Sequence, residues 1–356
     1  MKEGIDGYKK GRGAQFNTGN RFAKHQFKAE PTDDVLDDDF PPPAVKTEYV
    51  EEQAKQIIST SKSPDIPFSA SINPYQGCEH GCIYCYARNT HEYWGYSAGL
   101  DFESKIVVKQ NAPALLEKQF LSKSWQPKLI HLSGNTDCYQ PAERKYQLTR
   151  RILALCLQYR NPVSIITKNA LILRDKDILS QLAALNLVHV IISLTTLDES
   201  LRLKMEPRTV TAKQRLRVIQ ELTQAGLPVG VMTAPIIPGL NDQEIPTMIE
   251  AAAEYGACWA GYTIVRLNGA VGPLFEDWVR QNFPDRSDKV LHQIADCHGG
   301  SIGDSRFGTR MSGEGQVADY IRQLHRIACH KYLRGRSFPA LDMVKFRRGN
   351  QLNLFE

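Results

Sequence analysis

Between residues 69 and 265 the chain alternates two hydrophobic rhythms. Short apolar runs, rich in β-branched residues, read as strands at 69–73, 105–109, 128–133, 163–167, 188–194, 229–234 and 259–265. Longer stretches between them carry apolar residues at the helical period. In the clearest, 142–159, Leu148, Ile152, Leu155, Cys156 and Tyr159 share one face. Further helices are expected at 113–121, 175–184, 213–225 and after Asn241-Asp242. Strands joined through helices imply a parallel sheet with right-handed crossovers. About six such units suit an α/β fold with an open, partial (β/α)6 barrel, too few for a closed eightfold one.

The flanks follow other patterns. Residues 1–65 are polar: Lys2, Lys9, Lys10, Arg12, Arg21, Lys24 and Lys28 precede the acidic run Asp33, Asp34, Asp37, Asp38 and Asp39, and Pro41-Pro42-Pro43 ends it. Blocks of like charge with few apolar residues predict a flexible N-terminal extension ahead of a core at 66–305. After the core, Val317, Tyr320, Ile321, Leu324 and Ile327 mark an amphipathic helix at 317–332. Around it, in a C-terminal helical and basic region at 306–350, lie Arg306, Arg310, Arg322, Arg326, Lys331, Arg334, Arg336, Lys345, Arg347 and Arg348, against only Glu314, Asp319 and Asp342. Such a stretch attracts phosphates; a solvated helix face with a basic tail is the alternative.

Composition narrows the setting. A chain of 356 residues with 42% hydrophobic and 23% charged positions has an ordinary soluble balance. No apolar run approaches the ~18 residues that span a bilayer, so no membrane association is expected. Residues 1–28 show no apolar leader core, and a cytoplasmic protein is expected. Eight cysteines there point to thiols or metal ligands, not disulfides.

Three of those cysteines carry the chemistry. Cys78, Cys82 and Cys85 stand at C-x-x-x-C-x-x-C spacing in a loop punctuated by Gly77 and Gly81, with Tyr84 directly before the third. Iron–sulfur cubanes are usually held by four thiolates. Three leave one iron open to a small molecule. The competing reading is structural zinc with His80 or His91 as fourth ligand, although zinc sites favour paired C-x2–4-C units and no second pair follows. Polar residues cluster where ligands bind parallel α/β folds, after the strands: Ser133-Gly134-Asn135-Thr136-Asp137-Cys138-Tyr139-Gln140, Thr167-Lys168-Asn169, Ser193-Leu194-Thr195-Thr196 and Pro235-Ile236-Ile237-Pro238-Gly239. Arg202, Glu206 and Arg208 follow the fourth barrel strand, where structural ion pairing is the default.

The cysteine spacing resembles the signature of the radical S-adenosylmethionine (SAM) superfamily. Gly77-Cys78, Cys82-Ile83-Tyr84-Cys85-Tyr86, Thr136-Asp137, Thr167-Lys168 and Ser193-Leu194 are similar to its spore photoproduct lyase-like group. Asn73-Pro74-Tyr75, Glu206-Pro207-Arg208-Thr209 and Phe307-Gly308-Thr309-Arg310 resemble an uncharacterised bacterial branch of that group. The resemblance implies a 4Fe–4S cluster on Cys78, Cys82 and Cys85, chelation of SAM by the open iron, and a 5′-deoxyadenosyl radical formed with an electron from a donor. It implies SAM contacts by Gly134, Asn135, Thr136 and Asp137, by Lys168 and by Ser193, with Tyr84 against the adenine or the cluster loop. The family's usual Gly-Gly-Glu turn is absent at Gly134-Asn135-Thr136-Asp137. Cys138 lies in the segment from which those lyases draw a hydrogen-atom donor, a regional match; the alternative is a packing thiol.

Repair or modification of nucleic acid is the favoured activity. The rivals are modification of a protein or small molecule, and a non-catalytic iron–sulfur or zinc module. At the end of the chain, Gln351, Leu352, Leu354 and Phe355 resemble the peptide by which bacterial repair proteins dock on the DNA sliding clamp. That linear motif at 351–356 implies the clamp as a partner, in addition to DNA.

Overall fold

The computed structural model describes residues 9–22, 45–66 and 69–348. Its strands are β1 (Glu48–Glu52), β2 (Ile58–Thr60), β3 (Ala70–Ile72), β4 (Tyr75–Gln76), β5 (Lys105–Lys109), β6 (Ile130–Leu132), β7 (Val163–Thr167), β8 (Val188–Ser193), β9 (Val229–Ile236) and β10 (Trp259–Ile264). The helices are α1 (Leu100–Ser104), α2 (Ala112–Leu121), α3 (Ala142–Tyr146), α4 (Leu148–Gln158), α5 (Lys176–Ala184), α6 (Glu199–Met205), α7 (Ala212–Gln224), α8 (Ile245–Glu254), α9 (Val271–Asn282), α10 (Ser287–Asp296) and α11 (Gly315–Tyr332).

Strands β3, β6, β7, β8, β9 and β10 pair in that order, each parallel to the next. Sequential neighbours joined through helices give the expected open, six-unit α/β architecture, with β2 added antiparallel at the β3 edge. Val163, Ile165, Val188, Val190, Val229 and Val231 line one face of the sheet, buried to 1% exposure or less, while Ile166, His189 and Ile191 on the other face are partly exposed. A second, smaller sheet, β1-β5-β4, flanks the barrel. Its last strand leads directly into the cysteine loop.

Two expectations change in detail. The stretch read as one helix at 142–159 is broken at Gln147, which takes a left-handed φ of 51°. Glu143 accounts for the break: its buried carboxylate turns back to accept the backbone N–H groups of Thr149, 2.9 Å, and Arg150, 3.3 Å, capping α4 from the preceding turn. Helices α9 and α10 were not anticipated. Their apolar residues Val271, Leu274, Phe275, Trp278, Val290 and Ile294 pack with Cys82, Ile83 and Tyr84 in a separate core beneath the cysteine loop.

Within the expected extension, residues 9–22 lie against the cysteine loop and Glu48–Glu52 is a strand. At the other end, part of the basic stretch is spent on the fold, while Arg326 and Arg334 stay exposed. Helix α11 packs on α8. The chain then runs under the strands' N-terminal ends, where the Phe338 ring stacks 4.3 Å from His189. Arg336 donates to the carbonyls of Ala253 and Ala257, Lys345 to Leu185, Arg347 to Gln158 and Arg348 to Trp125. These carbonyls close the C-terminal ends of α8, α5 and α4 or lie just past α2, where cations meet the negative end of the helix dipole. Arg306 pairs with Asp304 and Glu314, and Arg310 with Asp65. Among the described residues no helix is long and apolar enough to cross a membrane.

Replacing Arg336 tests this belt. Its guanidinium bonds the Ala253 carbonyl at 2.8 Å, so Arg336→Gln is expected to lower unfolding free energy in urea by about 1–3 kcal/mol, the range for a charged hydrogen bond. An unchanged denaturation midpoint would show that the belt is incidental.

Candidate active site

The parallel strands point their C-terminal ends to one edge, and the cysteine loop lies across it. The loop turns at Gly77 and Gly81, both left-handed. A side chain at Gly77 would meet backbone oxygens of Lys105 and Phe102 at 2.8 and 3.0 Å, so that turn admits only glycine. Backbone bonds fix the rest: Cys78 N–H to the Phe102 carbonyl, 2.8 Å, and Ile83 N–H to that of Met205, 3.0 Å.

Arg88 holds the loop from within. The side chain is fully buried, and its guanidinium donates to the carbonyls of Cys82, Gly81, Ala98 and Gly99 and to the Glu103 carboxylate. Every N–H of the guanidinium is satisfied. Glu103, equally buried, also accepts the backbone N–H of Gly13 at 3.0 Å and of Ala14 at 2.8 Å. A Cβ at Gly13 would sit 1.9 Å from the Gly81 carbonyl oxygen, so this N-terminal segment seats itself on the loop only as glycine.

The three thiols are free and electrostatically close. Burial pushes the Cys78 thiol well above its ordinary range, helped by Asp137, Cys82 and Cys85. Burial and Glu206 push Cys82 up to about 12, and burial raises Cys85. A metal deprotonates such thiols outright on binding. Cys85 packs against both the Cys78 cluster and the Cys82 cluster, so it bridges the other two. Among the described residues no group of three or more His, Cys, Asp and Glu is poised for a metal ion. Neither histidine joins the thiols. His80 is 1% exposed, with Nε2 3.1 Å from the Asn169 amide nitrogen and Nδ1 3.4 Å from Asp137. Asn169 uses its amide oxygen on Leu171 N–H, so it donates to Nε2 and the ring proton lies on Nδ1. His91 packs between Tyr96 and Phe102 and has Asp101, Lys105 and Arg88 for charged neighbours. Three thiols without a fourth protein ligand fit an iron–sulfur cluster with an open position better than closed tetrahedral zinc.

Lys168 stands beside them, just past β7. Its ammonium lies 5.9 Å from the centre of the Tyr84 ring and makes no hydrogen bond or ion pair with described residues. Burial opposes the charge, but Glu206 and Cys82 raise the pKa above the ordinary lysine value. Tyr84 is 7% exposed and donates its hydroxyl to Glu206. Glu206 is fully buried; it pairs with Arg215 and accepts from Thr195 at 2.9 Å. Arg202 donates to the Glu206 carbonyl, and Arg208 is exposed, so the ion pair expected among these three forms instead with Arg215 of α7. Arg215 also bonds the Ser193 carbonyl at 3.1 Å. Ser193 is 3% exposed, and its hydroxyl bonds no described residue.

The segment after β6 serves mainly as a brace. Asn135 spends its amide on Gln76 and Thr90, and Thr136 donates to the Tyr75 carbonyl at 2.5 Å. Asp137 accepts from Thr167 Oγ1 at 2.8 Å and from Lys168 N–H at 2.9 Å. Gln140 bonds Glu79 N–H and the Gly77 carbonyl, tying the segment to the cysteine loop. Of the expected SAM contacts, Lys168, Ser193 and the backbone of Gly134 keep capacity for a ligand. Cys138 is fully buried in the main core with Ile72, Tyr139 and Ile152, its carbonyl held by Thr149. Such burial is the setting in which a cysteine packs as a small hydrophobe. The half-exposed aromatic ring of the loop is Tyr86, whose hydroxyl donates to the Gly134 carbonyl at 2.7 Å.

Residues 72–252 match the model of the radical SAM superfamily. The chain belongs to the radical SAM superfamily. An uncharacterized protein of Mycobacterium tuberculosis is 35% identical over 222 residues, which span 62% of this chain and 65% of that one. An uncharacterized protein of Methanocaldococcus jannaschii is 28% identical over 250 residues, 70% of this chain and 89% of the other. In fold this radical SAM superfamily member is similar to a spore photoproduct lyase complexed with dinucleoside spore photoproduct, with TM-score 0.59, 15% identity and coverage of 81% and 80%.

The buried Glu206 gives the protein an acid-sensitive core. Burial opposes its ionisation, but Arg215 and Lys168 outweigh burial and hold the pKa at about 2, below the ordinary 4.5. A depressed carboxylate stabilises the fold above its unfolded pKa, and that contribution is lost as pH falls through the folded value. Unfolding free energy is expected to drop by about 3 kcal/mol from this group between pH 4.5 and 2. Glu206→Gln should flatten that slope in acid-dependent urea titrations, and an unaltered slope would exclude the assignment.

Proposed function

We propose that this radical SAM enzyme holds a 4Fe–4S cluster on Cys78, Cys82 and Cys85 and uses it to cleave SAM for the repair or modification of nucleic acid. The observation that carries the proposal is the proximity of two buried thiols, Cys78 and Cys82, and the partly buried Cys85 to the Lys168 ammonium, which has no ion pair among the described residues, at the C-terminal edge of the sheet. When bound, the cluster supplies the electron, drawn from an external donor, that breaks the SAM sulfonium and yields a 5′-deoxyadenosyl radical. The protein's own groups bind and orient. Lys168 offers a point charge to the SAM carboxylate. Ser193 offers its free hydroxyl. The Glu206–Arg215 pair fixes Tyr84 beneath Lys168, and Asp137 fixes the Lys168 backbone. The solved lyase bound to a dinucleoside photoproduct supports nucleic acid as substrate class; the basic tail does not, because its cations bond the enzyme's own carbonyls. Eight free thiols accord with a reducing cytoplasm.

Cys82→Ala is expected to lose most bound iron and the ~400 nm absorbance of the reconstituted enzyme, while Cys156→Ala keeps both. Lys168→Ala should keep iron and weaken SAM binding by about 1.5–3 kcal/mol, as loss of a charge-assisted contact implies. Zinc at full occupancy in the isolated protein, or no 5′-deoxyadenosine under reducing, anaerobic conditions, would refute the proposal.

Docking on the sliding clamp through Gln351, Leu352, Leu354 and Phe355 is part of the same proposal; these residues lie outside the described ones. Purified clamp should bind the full chain with Kd near micromolar, about −8 kcal/mol. Binding should vanish when residues 351–356 are removed, and equal binding after truncation would exclude the motif.

A further inference from the structure

We infer that the edge beside the cysteine loop, built from Tyr86, Arg266, Phe307 and Arg310, binds an unstacked, single-stranded nucleic-acid segment, reading phosphate with Arg266 and base with the rings. The inference rests on the nucleic-acid proposal above and deepens it.

Arg266 lies two residues past the end of β10. It is half-buried, its guanidinium lies 6.0 Å from the centre of the Tyr86 ring, and it donates to the Met311 sulfur at 3.2 Å. It makes no ion pair among the described residues. Burial and the nearby Arg310 lower its pKa against the smaller pull of Tyr86, Asp65 and Asp304; those two carboxylates are paired with Arg310 and Arg306. Phe307 is 62% exposed, on a loop that is otherwise pinned. Asp65 accepts Gly308 N–H at 2.8 Å and Arg310 Nε–H at 2.6 Å, and Ser63 accepts Arg310 at 2.6 Å. The Arg310 guanidinium lies 4.6 Å from the centre of the Phe307 ring and stiffens it. A large apolar ring held outward by polar anchors is pre-organised for a planar partner. Tyr86, 50% exposed and fixed by the Gly134 carbonyl, sits one residue from Cys85. Stacking on such rings needs a free base face, which intact duplex does not offer, and an adjacent guanidinium serves the phosphate.

The test is fluorescence anisotropy on the purified full chain with labelled oligothymidylate, the matching duplex and poly-glutamate as competitor. Single strand should bind more tightly than duplex. Phe307→Ala should weaken it about tenfold with an unchanged salt slope. Arg266→Gln should weaken it and lower the salt slope by about 0.7, one phosphate on a single strand. Arg326→Gln, on α11, should change nothing. Tighter duplex binding, full competition by poly-glutamate, or wild-type affinity in both edge variants would overturn the inference. So would Arg266→Gln weakening SAM binding in place of oligonucleotide. Iron content and 5′-deoxyadenosine are assayed separately: single-strand binding without SAM cleavage sinks only the catalytic proposal, and SAM cleavage without strand binding sinks only this one.

Discussion

A guanidinium buried without solvent is costly unless every N–H is used. Arg88 meets that condition by placing its donors on the backbone of the cysteine loop, on the 98–99 turn and on Glu103. The loop has no regular structure of its own, and its carbonyls would otherwise lie unsatisfied near apolar helices. Arg88 therefore fixes a path that hydrophobic packing alone would leave loose. The placement of the thiols, the approach of Lys168 and the angle of Tyr86 all inherit that path.

The barrel divides labour between its two ends. Loops after the strands carry thiols, hydroxyls and unpaired cations. Beneath the strands, a belt of arginine and lysine closes helix ends one after another. The same residue type thus has opposite meanings at the two ends: Arg347 completes a helix, whereas Arg266 makes no ion pair among the described residues.

The barrel was legible because strands such as 163–167 and 188–193 are β-branched runs with no competing helical period. Cys78, Cys82 and Cys85 were legible from spacing. What escaped depended on partners remote in sequence. Nothing near Gln147 announces a helix break, because the cause is how the Glu143 carboxylate bends back. The belt left two readings open, phosphate attraction or a solvated helix face with a basic tail, because charge is visible in a sequence and the carbonyl that receives it is not. Nothing in the sequence marks Arg88, Arg215 and Glu103 as buried; the fold brings their partners to them. Cys138 sits beside residues that do brace the site, and one peptide unit separates Asp137, facing the loop, from a thiol in the core.

The seating of residues 12–14 on the cysteine loop has a thermodynamic corollary. Gly13 and Gly81 are in contact across the chain, and Glu103 holds both Arg88 and the N-terminal backbone. Anything that stiffens the loop must tighten the hold on that segment, and releasing the segment must loosen the loop by the same free energy. Protease sensitivity near residue 13 is thus a remote gauge of occupancy at the thiols, read without light, spin or turnover.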